Sequence, residues 1–160
     1  MLIAGIDPGL RGGISILSTE LNDIFSSVKM PTIEIVRKGR KTINVIDVVA
    51  MRKIVFACDV VYLESQQAMP DQSAQSGFTT GRNFGHIEGA LRVLGVRIVD
   101  VSARRWKARM GLPSDKAICV AKAKELSGFD FIPPRGRVPH DGMAESFLIA
   151  YYGREQERKS

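Results

Sequence analysis

Short apolar runs bounded by polar or turn residues mark the first two thirds of this chain. Leu2-Ile3-Ala4-Gly5-Ile6 ends on Asp7, and Val60-Val61-Tyr62-Leu63 ends on Glu64. Runs of this length read as buried strands. The pattern predicts strands at 1–7, 13–18, 23–30, 60–64 and 96–101. The turn-rich stretch Asp7-Pro8-Gly9-Leu10-Arg11-Gly12-Gly13 separates the first two, and Asn22-Asp23 marks the next turn. Residues 32–43 leave two forms open. They can make a hairpin tipped by Arg37-Lys38-Gly39-Arg40-Lys41, or a loop.

Helical spacing follows elsewhere. Val45, Val48, Val49 and Phe56 give partial helical periodicity and predict a helix over 45–57. Further helices are predicted at 76–94, 103–109, 114–127 and 141–152. Ser114 is the expected N-cap of the fourth, with Gly128 just past its end. Asp141 suits the N-terminus of the last. Residues 65–75 and 129–140 read as irregular, and 154–160 as a charged, frayed tail. Three strands in meander spacing, then alternating helix and strand, imply an α/β fold with a mixed sheet of about five strands flanked by helices. One domain over 1–153 with a tail at 154–160 is the expected organisation.

No apolar stretch has membrane-spanning length and the N-terminus lacks a signal-peptide pattern, so a cytoplasmic, membrane-free protein is expected. Cys58 and Cys119 have no metal-ligand spacing and read as reduced, buried thiols. The net charge of +6 and pI near 9.6 suit a polyanionic partner, although such a charge also serves solubility alone.

The acids change this picture most. A carboxylate ending a buried strand is costly unless something positive pairs with it. If strands 1–7 and 60–64 are parallel neighbours, Asp7 and Glu64 emerge at the same carboxyl edge, where open α/β sheets place their sites. Asp141 and Glu145 lie four apart on an Ala- and aliphatic-rich helix and share a face. Converging carboxylates repel one another, and hard divalent cations such as Mg²⁺ or Mn²⁺ relieve that repulsion. An acidic pocket in a basic chain suggests metal-dependent chemistry on a nucleic-acid phosphate. Plainer readings stay open for each acid: a tight turn capped by Asp7, an exposed strand end at Glu64, an N-cap at Asp141 and a solvated Glu145. A strand ending in Asp-x-Gly also opens actin-like and sugar-kinase ATPases. This chain is too short for their second domain and shows none of their later motifs.

Basic and polar segments supply candidate DNA contacts. Arg104-Arg105-Trp106-Lys107-Ala108-Arg109 carries no acid, and is either a phosphate-contacting or a solvated helix face. Trp106 reads as core. The Arg37, Lys38, Arg40 and Lys41 cluster, together with Arg135 and Arg137, are candidate arms on DNA, and the polar run Ser65-Gln66-Gln67 can reach phosphate or base edges. Gly81, Gly85 and Gly89 form a stripe at helical spacing. Each costs about 1 kcal/mol relative to Ala, so the stripe needs a close neighbour, either another helix or its own sheet.

The segments IAGIDPGLRGGISIL (3–17), VVYLESQQAMP (60–70), TGRNFGHIEGAL (80–91), VDVSARRWKARMGLPSDKA (99–117) and HDGMAESFLIAYYG (140–153) together resemble the RuvC-type Holliday-junction resolvases, in particular the small kind common in bacteriophages. The resemblance spans nearly the whole chain in family order. It implies an RNase H-like fold, a homodimer and a DNA endonuclease that resolves four-way junctions by paired incisions in a bacterial or phage-infected cell. It implies two Mg²⁺ or Mn²⁺ ions at a site made by Asp7, Glu64, Asp141 and Glu145, with Lys107 and Lys116 near the scissile phosphate. It makes the Gly81, Gly85 and Gly89 stripe the dimer seam. Two positions depart from the family. Its last two acids are often three apart, not four. Its junction-probing aromatic falls here on Gln67, which leaves the role to Met69, to Phe78, to another residue or to none. A non-catalytic branched-DNA-binding protein and a nuclease acting on RNA–DNA hybrids are the alternatives.

Overall fold

The computed structural model describes residues 1–20, 24–37, 39, 41–67 and 70–159. Its elements, numbered in chain order, are strands β1 (Leu2–Asp7), β2 (Gly13–Ser18), β3 (Ile24–Lys29), β4 (Thr32–Arg37) and β5 (Lys41–Ile46), helix α1 (Val48–Val55), strand β6 (Val60–Glu64), helix α2 (Ala74–Leu94), strand β7 (Arg97–Val101), and helices α3 (Ala103–Arg109), α4 (Lys116–Ser127) and α5 (Asp141–Glu157). The main sheet has the order β3-β2-β1-β6-β7. β1, β2 and β3 pair antiparallel as a meander, while β6 joins β1 in parallel and β7 joins β6 in parallel.

Alternation along the strands sorts side chains onto two faces. Ala4, Ile6, Val61 and Leu63 pack with Met51 and Val55 of α1 and Ile87 and Leu91 of α2. Ile3, Val60 and Tyr62 pack with Trp106 of α3, Cys119 and Ala123 of α4, and Phe147 and Leu148 of α5. By the same period Gly5 and Asp7 belong to the α5 face, as does Glu64.

That face is set by very close backbone packing. A Cβ on Gly5 would run into the Ala150 and Ser146 backbone, and one on Gly13 into Gly142. Only glycine permits this approach. Ser15, buried between the layers, bonds Ser146 Oγ (2.8 Å) and Ser27 Oγ (2.9 Å), so the docked faces leave no polar group stranded there. α5 is thereby held flat against β1 and β2 with its first turns at the carboxyl edge of β1.

Several expected boundaries move. β4 and β5, over 32–37 and 41–46, pair antiparallel as a two-stranded sheet of their own. The helix predicted from 45 starts at Val48, because Val45 pairs with Ile33 in the hairpin and Asp47 caps the helix, accepting from Val49 and Ala50 N–H. α2 begins at Ala74 behind Ser73. Asp115, not Ser114, caps α4, accepting from the Ile118 N–H at 3.1 Å. His140, not Asp141, caps α5.

α5 also runs past the expected end at 152. Glu157 accepts from the Tyr62 hydroxyl (2.7 Å) and pairs with Arg97 (2.6 Å), and Arg154 is buried over the Tyr151 ring. Residues 154–157 are therefore helix, and the boundary placed at 153 falls inside α5. The turn at Asn22-Asp23 lies outside the described residues. No described helix is long and apolar enough to cross a membrane. Cys58 and Cys119 are free and buried.

The Gly5 contact yields a test. Gly5→Ala drives a methyl group into the Ala150 and Ser146 backbone, and overpacking costs typically about 1–3 kcal/mol. Its melting temperature should fall by several degrees. An unchanged melting curve would show that α5 can slide off β1 without cost.

Candidate active site

Register brings the strand-end acids together. Ile6 of β1 lies beside Leu63 of β6. The next residues on these parallel neighbours are Asp7 and Glu64, side by side at the carboxyl edge. α5 presents Asp141 and Glu145 from its first two turns to the same edge. α3 and α4 close the far side with Trp106, Lys107 and Lys116.

Each of three acids has a donor. Trp106 Nε1–H donates to Glu64 Oε2 (2.8 Å), Lys107 Nζ to Glu145 Oε1 (2.8 Å), and Lys116 Nζ pairs with Asp141. Trp106 is fully buried, as expected of a core residue, but its indole N–H also fixes Glu64. Lys107, expected among the DNA contacts, turns its ammonium inward to Glu145. His140 Nδ1 accepts the Met143 N–H at 3.3 Å, which holds the first turn of α5 and hence Asp141.

The electrostatics show three acids sharing one pocket. Burial, then the charges of Glu64 and Glu145, push the Asp7 carboxyl up to about 7, against the Gly9 N–H and Lys116, which favour its ionised form. Burial likewise raises Glu64, opposed by the Trp106 hydrogen bond and Lys107. Asp141 goes the other way: burial would raise it, but the Lys116 pair holds it below the usual carboxylate range. Burial would lower Lys107, yet its bond to Glu145 leaves it raised. The two lysines thus supply the positive charge that a buried acid cluster requires.

Among the described residues, no three carboxylate, imidazole or thiol groups stand close enough as placed to hold a metal ion. The physical reason is visible in the pairing: two of the four carboxylates are turned to lysine ammonium groups. The donor set itself, all hard carboxylate oxygens with mutual repulsion at Asp7, Glu64 and Glu145, fits Mg²⁺ or Mn²⁺.

Other expected residues lie outside this cluster. Arg104, Arg105 and Arg109 are exposed on α3, and Arg135 and Arg137 are exposed in the loop before α5. Gln67 is exposed just after β6, and Phe78 is 63% exposed on α2. Arg37 and Lys41 pair across the end of the β4–β5 hairpin. Lys38, Arg40 and Met69 lie outside the described residues.

Gly81, Gly85 and Gly89 face away from the sheet, which α2 meets through Asn83, Ile87 and Leu91. A Cβ at any of the three would meet open space, so packing on the chain's own sheet does not explain the stripe. Gly85 and Gly89 instead line a groove of about 570 Å³ with Val48, Val49 and Val93.

Two cations went unpredicted. Arg11 and Lys29 face His140 across a groove of about 540 Å³ and, after burial, help lower its pKa. The signal for Arg11 was its place in the turn directly after Asp7.

The sequence matches no protein-family model and no curated protein. Solved structures do match. A Thermus thermophilus RuvC in complex with Holliday junction substrate superposes with TM-score 0.66 at 14% identity, over 100% of this chain and 97% of that one. A second Thermus thermophilus RuvC structure gives TM-score 0.60 at 15% identity, over 99% and 96%. At such identity the likeness speaks to fold, and the five-stranded mixed sheet with helices on both faces is the RNase H-like fold of the RuvC resolvases.

Proposed function

We propose that this chain is a homodimeric, divalent-cation-dependent endonuclease that cuts four-way DNA junctions by paired incisions in the cytoplasm. The observation that carries the reading is the meeting of Asp7, Glu64 and Glu145, with Lys107 and Lys116, at one sheet edge. The fold matched end to end with a junction-bound RuvC supports the choice of substrate.

Asp7, Glu64, Asp141 and Glu145 would hold two Mg²⁺ or Mn²⁺ ions. Such ions supply Lewis-acid charge stabilisation and lower the pKa of water. The chain's own groups do the rest. Trp106 holds Glu64 in one orientation, and His140 holds the α5 N-terminus that carries Asp141. Lys107 and Lys116 bring positive charge to where a scissile phosphate would develop more negative charge. Hydrolysis in line would leave 5′-phosphate and 3′-hydroxyl ends. The exposed Arg104, Arg105, Arg109, Arg135 and Arg137, with the hairpin end and Gln67, would bind the arms through phosphates and carry no sequence preference from charge alone.

A second copy of the chain is the proposed occupant of the α1–α2 groove. Val49 and Val93 are 63% and 88% exposed beside Gly85 and Gly89, an apolar surface with room for a closely approaching helix. Two equivalent sites on a symmetric dimer suit a substrate with two equivalent strands.

Two outcomes check this reading. Asp7→Asn and Glu64→Gln should each abolish cleavage of a labelled four-way junction in Mg²⁺ while leaving binding within a few fold. Near-wild-type turnover by either contradicts the four-acid site, and preferential cutting of an RNA–DNA hybrid contradicts the substrate. Gly85→Leu should weaken the dimer roughly tenfold or more, read by sedimentation. On a supercoiled cruciform it should nick once more often than it linearises. A folded, fully dimeric mutant that still linearises the cruciform would remove the stripe from the interface.

A further inference from the structure

The acid cluster has cations on both flanks of the sheet edge. On the far side α3 and α4 supply Lys107 and Lys116, both turned to carboxylates. On the β3 side a groove of about 540 Å³ passes the N-terminus of α5, bounded among others by Arg11, Lys29, Pro134 and His140.

Register fixes where this groove lies. Asp7 pairs with Gly13, and Gly13 with Lys29, so the three form one row across β1, β2 and β3. Residues directly opposite one another share a face. A Cβ on Gly13 would meet Gly142 of α5, so Lys29 leaves the sheet on the α5 face, as Asp7 does. Two strand spacings, about 10 Å, separate the Asp7 and Lys29 backbones. Arg11 is tied to the same place. A Cβ on Gly142, the residue after Asp141, would run into the Arg11 carbonyl oxygen. Both cations act on His140, the residue before Asp141.

Arg11 and Lys29 are exposed, and neither pairs with an acid among the described residues. No acid is among the described residues that bound the groove. Like charges gathered in one concavity repel, so stability does not ask for this arrangement, and a polyanion answers it. His140 spends Nδ1 on the Met143 N–H, which leaves its other ring nitrogen as a donor.

We propose that this groove carries the backbone of the strand being cut on one side of the scissile phosphate, with Arg11 and Lys29 as its phosphate contacts. The inference rests on the junction-nuclease reading above. It sends the strand across the sheet edge, from the α3 side over the acids to β3. Phosphates recur about every 3.4 Å of axis along one strand. With one phosphate at Asp7, those two or three further on fall opposite Lys29. Continuity with the acid cluster favours this occupant over a separate small anion.

The test is a phosphate-neutralisation scan. Four-way junctions carry one uncharged methylphosphonate at each position flanking the cut, and binding is measured in EDTA by fluorescence anisotropy. Wild-type affinity should fall roughly threefold to fivefold two or three phosphates from the cut on one side. Arg11→Gln combined with Lys29→Gln should lose that dip, and its log–log salt slope should be shallower by roughly one to two. Arg104→Gln combined with Arg105→Gln should also flatten the slope but keep the dip. If the first pair does not fold by circular dichroism, Lys29→Gln alone should shrink the dip. A flat wild-type scan overturns the proposal. So does a folded Arg11 and Lys29 variant with the wild-type dip, or loss of the dip in the Arg104 and Arg105 variant. Failure to bind even the intact junction overturns the nuclease reading, and this inference falls with it.

Discussion

The structure turns on carboxylates that repel one another in a place with little water. Asp7, Glu64 and Glu145 come from three different elements, and each feels the charge of another. Stability alone does not ask for this. Leu or Val at the strand ends would bury without desolvation cost. The chain instead spends a fully buried Trp N–H and two lysines on the cluster. A counter-charge arranged around an acid pocket marks a functional site more than a structural one.

Getting the acids together depends on something unlike electrostatics. α5 lies against β1 and β2 with no side chain between the backbones at Gly5, Gly13 and Gly142. That contact aims the first two turns of α5, with Asp141 and Glu145, at the end of β1. The long helix is anchored at its far end by Glu157 on Tyr62 and Arg97. Gly13 pairs with Asp7 and Gly142 follows Asp141, so the backbone contact between them sits at the acid end itself and sets how the charges stand there.

The strand-end acids were legible because apolar runs ending in an acid are rare and a parallel pairing follows from the strand–helix alternation. The five-stranded sheet followed from the same pattern. The helix ends were less legible, since propensity cannot see tertiary partners. Val45 carries a helical period but pairs with Ile33, and residues 154–157 look like a charged tail until Tyr62 and Arg97 are placed beside Glu157. Trp106 read as core, which it is; that its N–H also reaches Glu64 depends on a contact 42 residues apart.

Asp7 is kept at a cost to the fold. Its folded carboxyl titrates near 7, against 3.8 for the ordinary group, so the native state binds the extra proton between those values. Stability contributed by this group is therefore lost as pH rises from about 4 to 7 and stays lost above it. The measurement is the melting temperature of Asp7→Asn beside wild type, in EDTA, from pH 4 to pH 8. Asn cannot ionise, so the mutant should gain on the wild type as pH rises, by on the order of a few kcal/mol at pH 8. A mutant that is less stable than wild type at pH 8, or a difference that does not change with pH, would make Asp7 a structural anchor and contradict the account.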